Sequence, residues 1–225
     1  MKLLLVEDER DLSEAIVNFL SKEGYICERV SSVIDAKEKV ALYNYDCILV
    51  DIGLPDGSGL DIIPDIKKFR SKSGVIIISA KNSVDDKIAG LDLGADDYIA
   101  KPFNLAELNS RIRSVLRRRN FDGNNEIIVN EITIHPNDKA VKIKDSTLTL
   151  TKKEYDLLLF LVVNKNKVIT KESIAEHLWG DEMDMADSFD FLYTHIKNLR
   201  KKLVDSGSQD YIKTVYGMGY RFTAE

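Results

Sequence analysis

Five strand patterns alternate with five helix patterns over residues 1–119 of this 225-residue chain. Compact apolar runs predict strands near 2–6, 26–30, 46–51, 75–79 and 97–99. The segments that follow them predict helices over 9–23, 33–43, 58–70, 83–93 and 104–119. Strands that each lead into a helix pair in parallel, with right-handed crossovers on both faces of the sheet. The pattern therefore predicts a doubly wound α/β domain around a five-stranded parallel sheet.

Chemically useful side chains stand where four of these strands end. Asp51 closes the apolar run 47–50, and Glu7 and Asp8 follow the first strand. Ser79 ends the fourth strand, and Lys101 follows the fifth. The carboxyl ends of parallel strands meet at one edge of an open sheet, where ligands bind. Acids, a hydroxyl and a lysine around one aspartate suit phosphoryl chemistry.

The pattern changes after a polar, turn-rich stretch at residues 120–125, which we interpret as a linker. Short β runs at 127–129, 132–134, 140–143 and 147–150 predict a small antiparallel sheet. Helices are expected over 152–163, 171–178 and 186–205, and a glycine-containing hairpin over 211–222. Residues 126–225 thus form a predicted α+β winged helix-turn-helix domain.

Composition bears on the cellular location of the protein, the state of its cysteines and the charge of its surface. No apolar run is long enough to span a membrane, and the N-terminus lacks the pattern of a signal peptide, so we expect a cytoplasmic protein. Cys27 and Cys47 lie in predicted strands without metal-binding spacing, which favours reduced core residues. The net charge is −5, yet residues 194–203 carry four cations and no acid, which indicates a local basic surface.

Short motifs occur in a fixed order along both halves of the chain. Those of the first half are Glu7-Asp8, Asp51-Ile-Gly-Leu-Pro-Asp-Gly-Ser-Gly59, Ser79-Ala-Lys81, Gly94-Ala-Asp-Asp-Tyr98 and Lys101-Pro-Phe103. Those of the second half are Leu150-Thr-Lys-Lys-Glu-Tyr155, Leu178-Trp-Gly180, His195-Ile-Lys-Asn-Leu-Arg-Lys-Lys-Leu203 and Val215-Tyr-Gly-Met-Gly-Tyr-Arg-Phe222. Taken in this order, the motifs resemble a two-component response regulator of the OmpR/PhoB type over essentially the whole chain. The resemblance implies a flavodoxin-like receiver domain over residues 1–119 and a DNA-binding domain over 126–225.

In such a receiver, Asp51 is phosphorylated by a partner histidine kinase. The resemblance implies that Mg²⁺ (or Mn²⁺) is bound by Asp8, Asp51 and the backbone carbonyl of Gly53, with Glu7 acting through water. Hard oxygen donors of this kind are what Mg²⁺ prefers. Lys101 and Ser79 would contact the phosphoryl oxygens, and Tyr98 would turn inward as a switch; Lys101-Pro102 is expected to be cis. The protein would lose its phosphoryl group slowly by itself and would not be a turnover enzyme.

The family also implies a two-fold dimer face that forms on phosphorylation. Its ion pairs would join Lys87 to Glu107, Asp97 to Arg111 and Asp96 to Arg118, around the apolar side chains of Ile88 and Leu91. Opposite charges at complementary places suit such an isologous interface, although charges on helices are mostly solvated. Asn109 replaces a small apolar residue of the family and is expected to loosen the face.

The long helix near 186–205 is expected to read double-stranded promoter DNA. Candidate contacts are Thr194, His195, Lys197, Asn198, Arg200, Lys201 and Lys202 on the helix, with Lys213, Thr214 and Tyr216 on the hairpin. Asn198 is the best base reader, since asparagine can bond adenine through two hydrogen bonds. For His195 and Arg200, phosphate contact and helix packing both stay open. The acidic stretch 180–190 resembles a loop that touches RNA polymerase; a solvated loop is the alternative.

Two other interpretations compete with a phosphorylation-controlled transcription factor. An aspartyl-phosphate phosphatase of the haloacid dehalogenase type needs a second acid two residues after its nucleophile, and Gly53 stands there. A regulator that dimerises without phosphorylation would not need the acids, Ser79 and Lys101 together. Both are disfavoured by the residues present.

Overall fold

The computed structural model describes residues 1–70, 72–80, 84–120, 123–180 and 189–224. The chain divides into two compact units, Met1–Gly123 and Asn124–Glu225. The break falls inside the segment 120–125 that the sequence marks as a linker. No helix in the described part of the chain combines the length and apolar character that crossing a membrane requires.

The first unit is built on a five-stranded parallel sheet. Its strands are β1 (Lys2–Val6), β2 (Ile26–Val30), β3 (Cys47–Asp51), β6 (Gly74–Ser79) and β7 (Asp97–Ala100), where β4 and β5 belong to a short hairpin described below. The strand order is β2-β1-β3-β6-β7, and every neighbouring pair is parallel. The doubly wound sheet predicted from the sequence is confirmed.

Helices cover both faces of this sheet. They are α1 (Arg10–Lys22), α2 (Val33–Leu42), α3 (Ile63–Phe69, preceded by a 3-10 turn at Gly59–Ile62), α4 (Val84–Asp92) and α5 (Leu105–Asn120). Alternate residues of the strands point to opposite faces, so β1 supplies Leu4 and Val6 to one core and Leu3 and Leu5 to the other. Both expected cysteines are unpaired thiols, Cys47 fully buried and Cys27 half-buried.

The loop after β3 holds a feature that the sequence did not predict. Two strands of two residues each, β4 (Gly53–Leu54) and β5 (Gly57–Ser58), pair as a short antiparallel hairpin. The carboxylate of Asp56 at its tip accepts hydrogen bonds from the amides of Val33 and Ile34, 2.8 and 3.0 Å away. Free amides at a helix N-terminus need such acceptors. Asp56 therefore ties the loop to the start of α2.

The second unit begins with a four-stranded antiparallel sheet of β8 (Ile127–Val129), β9 (Ile132–His135), β10 (Ala140–Ile143) and β11 (Ser146–Leu148). Three helices follow: α6 (Lys152–Val163), α7 (Lys171–Trp179) and α8 (Asp190–Asp205). A three-stranded sheet of β12 (Ile169–Thr170), β14 (Gly219–Phe222) and β13 (Ile212–Val215) completes the unit. This is the predicted winged helix-turn-helix architecture, and β12 is an additional strand.

Side-chain caps fix where the helices of this unit begin. Thr151 and Glu154 form a reciprocal capping box at α6, and the side chain of Thr170 accepts a hydrogen bond from the amide of Ser173 at α7. The recognition helix was expected from residue 186, but residues 186–188 lie outside the described part. The side chain of Trp179 packs edge-on against Phe191.

Candidate functional site

Three carboxylates converge at the carboxyl edge of the parallel sheet. Val6 of β1 lies opposite Val50 of β3, so the residues that follow these positions emerge side by side. Glu7, Asp8 and Asp51 each offer an oxygen within 4.8 Å of the others. Glu7 and Asp51 are buried, whereas Asp8 is exposed at the mouth. The strand ends thus meet as the sequence predicts.

The ammonium group of Lys101 forms ion pairs with two of these carboxylates. Its Nζ atom lies 2.6 Å from Oδ2 of Asp51 and 2.8 Å from Oε2 of Glu7. Its backbone amide donates to the carbonyl of Ser79, 2.8 Å away, which fixes the loop after β7 to the end of β6. The peptide bond between Lys101 and Pro102 is cis, as expected. One ammonium group is therefore held at the centre of the acidic site.

The local electrostatics follow from burial and this ion pair. Burial raises the pKa of Glu7 above its ordinary value, and the hydrogen bond from Lys101 only partly opposes this. Burial lowers the pKa of Lys101, but its hydrogen bonds to Asp51 and Glu7 outweigh that effect and leave the pKa raised. Lys101 is therefore a permanent cation at neutral pH.

Two glycines shape the loop around the carboxylate of Asp51. The amide of Gly53 donates to Oδ1 of Asp51 at 3.1 Å, so Lys101 and Gly53 hold different oxygens of the same group. A Cβ atom at Gly59 would lie 1.8 Å from the backbone oxygen of Asp51. Only glycine fits there, because the loop folds directly back on the strand end.

Ser79 and Tyr98 lie on the neighbouring strands. Ser79 is the last residue of β6, one position beyond the residue that pairs with Asp51, and is 2% exposed. The ring of Tyr98 on β7 is 8% exposed and belongs to the hydrophobic core. The side chain of Tyr98 is thus largely buried, and its role as a switch stays a prediction.

The donor set at this edge fits a hard divalent cation. The three carboxylates carry three negative charges and Lys101 carries one positive charge, so an excess of two negative charges is left in a half-buried site. Carboxylate and carbonyl oxygens are the ligands Mg²⁺ prefers, usually together with water. Glu7, Asp8, Asp51 and the exposed Gly53 are the residues that would hold it.

Comparisons with known proteins identify the family of this chain. The family profile described as the response regulator receiver domain matches residues 3–113, and that of the transcriptional regulatory protein C terminal matches 145–222. The transcriptional regulatory protein PmrA of Pectobacterium parmentieri is 36% identical over 99% of this chain and 98% of its own length. The response regulator ArlR of Staphylococcus aureus is 40% identical over 97% of this chain and 98% of its own.

The chain belongs to the response regulators of the OmpR/PhoB type. The pairing of a receiver with this DNA-binding domain implies transcription regulation. Among solved structures, a CheY-like receiver domain from Methanospirillum hungatei covers 54% of this response regulator and 98% of its own chain, with 27% identity and a TM-score of 0.52.

In the DNA-binding domain of this response regulator, α8 has one buried and one exposed face. Leu192, Ile196, Leu199 and Leu203 are buried. Of the predicted contacts on α8, the exposed ones are Thr194, Lys197, Asn198 and Lys201. On the hairpin, Lys213, Thr214 and Tyr216 are exposed as well. All seven of these residues are therefore accessible to a ligand.

Three other predicted contacts have partners inside the domain. The ring of His195 lies 5.6 Å from that of Trp179. Arg200 pairs with the carboxylate of Asp210 through two nitrogens, and Lys202 lies 2.7 Å from that of Glu154. Each of the three residues thus has a partner inside the domain, and phosphate contact by His195 and Arg200 stays a prediction. Most of the acidic stretch 180–190 lies outside the described residues.

The proposed dimer face contains exposed apolar side chains on α4. Ile88 is 50% exposed and Leu91 45% exposed. Arg111 pairs within its own chain, 3.0 Å from Asp97 and 2.8 Å from Glu107, and Lys87 lies 5.9 Å from the centre of the Tyr98 ring. The expected charges are therefore present, with Arg111 already neutralised inside one chain.

Asp96 has partners that the sequence did not predict. Its carboxylate accepts from Arg119 at 2.7 Å and from the amide of Val75 at 2.9 Å. Arg118, its expected partner, donates to the backbone oxygen of Asp96 at 3.1 Å. Asp96 thus anchors the end of α5 to the sheet within one receiver.

Asn109, which was expected to loosen the dimer face, is buried inside the receiver. Asn109 is 4% exposed; it donates to Glu23 at 2.8 Å and accepts from the hydroxyl of Tyr25 at 3.2 Å. Its side chain is engaged with the end of α1 and the start of β2. The period of α5 could have shown this, because Asn109 lies three and seven positions before the buried Ile112 and Leu116.

Sequence reasoning also missed a cation beside α8. Lys171, the first residue of α7, donates to the hydroxyl of Tyr193 at 2.7 Å, and Tyr193 is 40% exposed. The spacing along α8 could have placed Tyr193 on the same helix face as Lys197, because it precedes Lys197 by one helical turn. Lys171 itself could not be placed without the tertiary structure.

Proposed function

We propose that Asp51 accepts a phosphoryl group from a sensor histidine kinase, and that phosphorylation promotes dimerisation and binding to promoter DNA. The observation that carries this proposal is the position of Lys101, whose ammonium group bridges Asp51 and Glu7 beside an exposed third carboxylate. Phosphoryl transfer needs a positioned nucleophile and positive charge against the transferred group.

Each residue of the site has its own role in the proposed phosphoryl transfer. A carboxylate oxygen of Asp51 attacks phosphorus in line with the departing group of the donor, and an acyl phosphate forms. Lys101 passes from Asp51 to a new phosphoryl oxygen, and Ser79 donates a hydrogen bond to another. A Mg²⁺ or Mn²⁺ ion held by Asp8, Asp51 and the carbonyl of Gly53, with Glu7 through water, would offset repulsion between Asp51 and the donor. The amide of Gly53 keeps the carboxylate oriented.

The acyl phosphate carries about 1.5–2 negative charges where the carboxylate carried one, and it brings new acceptor oxygens to the site. We infer that Ser79 and Tyr98 respond to it and that the face with Lys87, Ile88, Leu91, Glu107 and Arg111 then dimerises. The protein would act in the cytoplasm, release the phosphoryl group slowly and turn over no substrate. Contact with RNA polymerase stays a prediction.

Light scattering on the full chain, with and without acetyl phosphate, tests the dimer face. Leu91→Asp places a charge in the proposed face and should keep the phosphorylated protein monomeric. Ile34→Asp is the matched control, because Ile34 is 70% exposed on α2, outside that face. Equal dimerisation of both variants would refute the assignment of the face, and a monomer in every sample would refute dimerisation itself.

DNA binding is tested with a duplex recovered from a random pool by the phosphorylated protein. Phosphorylated protein should bind it more tightly than Asp51→Asn under the same conditions. Lys201→Met should weaken binding to all duplexes and flatten the salt dependence, whereas Asn198→Ala should reduce discrimination at one base pair. Equal affinity of wild type and Asp51→Asn would favour a regulator that works without phosphorylation.

A further inference from the structure

The carboxylate of Asp56 binds the first two amides of α2. Asp56 lies at the tip of the β4–β5 hairpin, and its two oxygens accept from the amides of Val33 and Ile34 at 2.8 and 3.0 Å. The hydrogen bond from Val33 is the main cause of a lowered pKa at Asp56. A second acceptor at this helix end is the hydroxyl of Ser32, which takes the amide of Asp35 at 3.1 Å. Because the first amides of a helix lack partners within the helix, Asp56 and Ser32 share the capping of α2.

Apolar contacts also hold the hairpin against α2. Leu54 of β4 is 8% exposed and belongs to the same hydrophobic core as Val33. A Cβ atom at Gly57 would lie 3.6 Å from Cγ2 of Val33, which is ordinary contact distance. At the other end of the loop, Gly59 lies directly against the backbone of Asp51. The hairpin is therefore fixed between α2 and the strand that carries Asp51.

Gly53 depends on this hairpin for its position. It is the first residue of β4 and pairs with Ser58 of β5. A Cβ atom at Gly53 would meet nothing within 4 Å, so no packing at this position holds the residue. The amide of Gly53 donates to Oδ1 of Asp51 at 3.1 Å, and its carbonyl is the expected cation ligand. A shift of the hairpin would therefore move both groups at once.

We propose that Asp56 is a positioning residue for phosphoryl acceptance. By anchoring the hairpin to the N-terminus of α2, Asp56 keeps Gly53 in place to bind the cation and to orient Asp51. Asp56 is not one of the three converging carboxylates, so its effect passes through the backbone of the hairpin. Substituting residues that orient metal ligands commonly weakens metal binding by about 10–100-fold. This inference rests on the function proposed above.

Titration calorimetry of the unphosphorylated full-length chain with Mg²⁺ tests the inference. Asp56→Ala should raise the Mg²⁺ dissociation constant about tenfold. Ser32→Ala is the matched control, because it removes the other side-chain cap of α2 and leaves both hydrogen bonds to Asp56 in place. Both variants should lower the melting temperature of the receiver in EDTA. Only Asp56→Ala should change the Mg²⁺ dissociation constant by more than about twofold.

Asp56→Asn separates anchoring from charge. Its side chain is neutral, as in Asp56→Ala, but its carboxamide oxygen can still accept one amide hydrogen bond. The Mg²⁺ dissociation constant of Asp56→Asn should therefore lie between those of the parent and Asp56→Ala. With acetyl phosphate, intact mass should show slow phosphoryl gain by Asp56→Ala at low Mg²⁺, and the rate should approach that of Ser32→Ala as Mg²⁺ saturates.

Two results would overturn the inference and leave the proposed function standing. One is Mg²⁺ binding by Asp56→Ala that is as tight as that of Ser32→Ala. The other is equal weakening by Asp56→Asn and Asp56→Ala, which would assign the effect to the lost charge. In both cases the parent would still accept a phosphoryl group that Asp51→Asn does not. If the parent accepts no phosphoryl group in Mg²⁺, the proposed function is wrong and the inference fails with it.

Discussion

Lys101→Met is the substitution that should disturb the acidic site most directly. The Nζ atom of Lys101 lies 2.6 Å from Asp51 and 2.8 Å from Glu7, and the side chains of these acids are 9% and 0% exposed. At an effective dielectric constant of about 20, each contact corresponds to a gross attraction of about 6 kcal/mol. Removing one partner of a buried ion pair costs about 3–5 kcal/mol, because the remaining charge is uncompensated.

The lower end of that range is expected here. Asp8 is exposed, so water reaches the mouth of the site, and Glu7 can escape part of the cost by taking up a proton. A loss of about 3 kcal/mol in a domain of this size should lower its melting temperature on the order of 10 °C. The charge of Lys101 opposes a bound cation, so Mg²⁺ should bind the variant more tightly and stabilise it more than it stabilises the parent. At a hundred times its dissociation constant a ligand stabilises a protein by about 2.7 kcal/mol, which would restore most of the loss.

Scanning calorimetry of the full-length protein, in EDTA and in Mg²⁺, measures both effects. The receiver transition is the one that shifts with Mg²⁺, and fluorescence of Trp179, the single tryptophan, identifies the transition of the DNA-binding domain. Lys22→Met is the matched control, since Lys22 is exposed at the end of α1. If Lys101→Met melts like the control in EDTA, or if Mg²⁺ stabilises the two variants equally, the electrostatic account of the site is refuted.

Three further outcomes are expected. Gly59→Ala should destabilise the receiver by about 3 kcal/mol and reduce phosphoryl acceptance, because its Cβ would clash with the backbone of Asp51; a normal calorimetric transition would contradict this. Asn109→Ala should cost about 2 kcal/mol in the same measurement, since Tyr25 loses its buried acceptor, and should leave dimerisation unchanged. Burial raises the pKa of Glu131, but hydrogen bonds from the amide of Gln209 and the hydroxyl of Tyr211 lower it to about 2 from 4.5. The stabilisation that Glu131 gives the folded domain is therefore complete above about pH 4.5 and is lost as the pH falls toward 2. Glu131→Gln should make the melting temperature followed by Trp179 fluorescence depend less on pH over this range. Identical pH profiles for the variant and the parent would exclude the effect.

The sheet and the acidic site were predictable because their signals are local. Each long strand is a compact apolar run, and in a parallel sheet the residues that follow such runs share one edge, which places Asp51, Glu7 and Lys101 together. The hairpin β4–β5 and strand β12 could not be predicted, because each of these strands has only two residues and is too short to show an alternating apolar pattern. They form only where Asp56 meets α2 and where Gly219 lets β14 approach Ile169.

The charges on α5 show the same limit. Residue type gives the sign of a charge, and spacing along a helix indicates the helix face on which it lies. Neither identifies the partner of the charged residue. Asp96 pairs with Arg119 because the end of α5 passes over the start of β7, which only the folded chain reveals. The buried Asn109 is different, since the apolar period of α5 already assigned its position to the core.

Intact mass after incubation with acetyl phosphate and Mg²⁺ tests the central claim most directly. The wild-type chain should gain one labile phosphoryl group, and none should appear in EDTA or in Asp51→Asn. A wild-type chain that gains no phosphoryl group, or an Asp51→Asn variant that gains one equally well, would contradict the account.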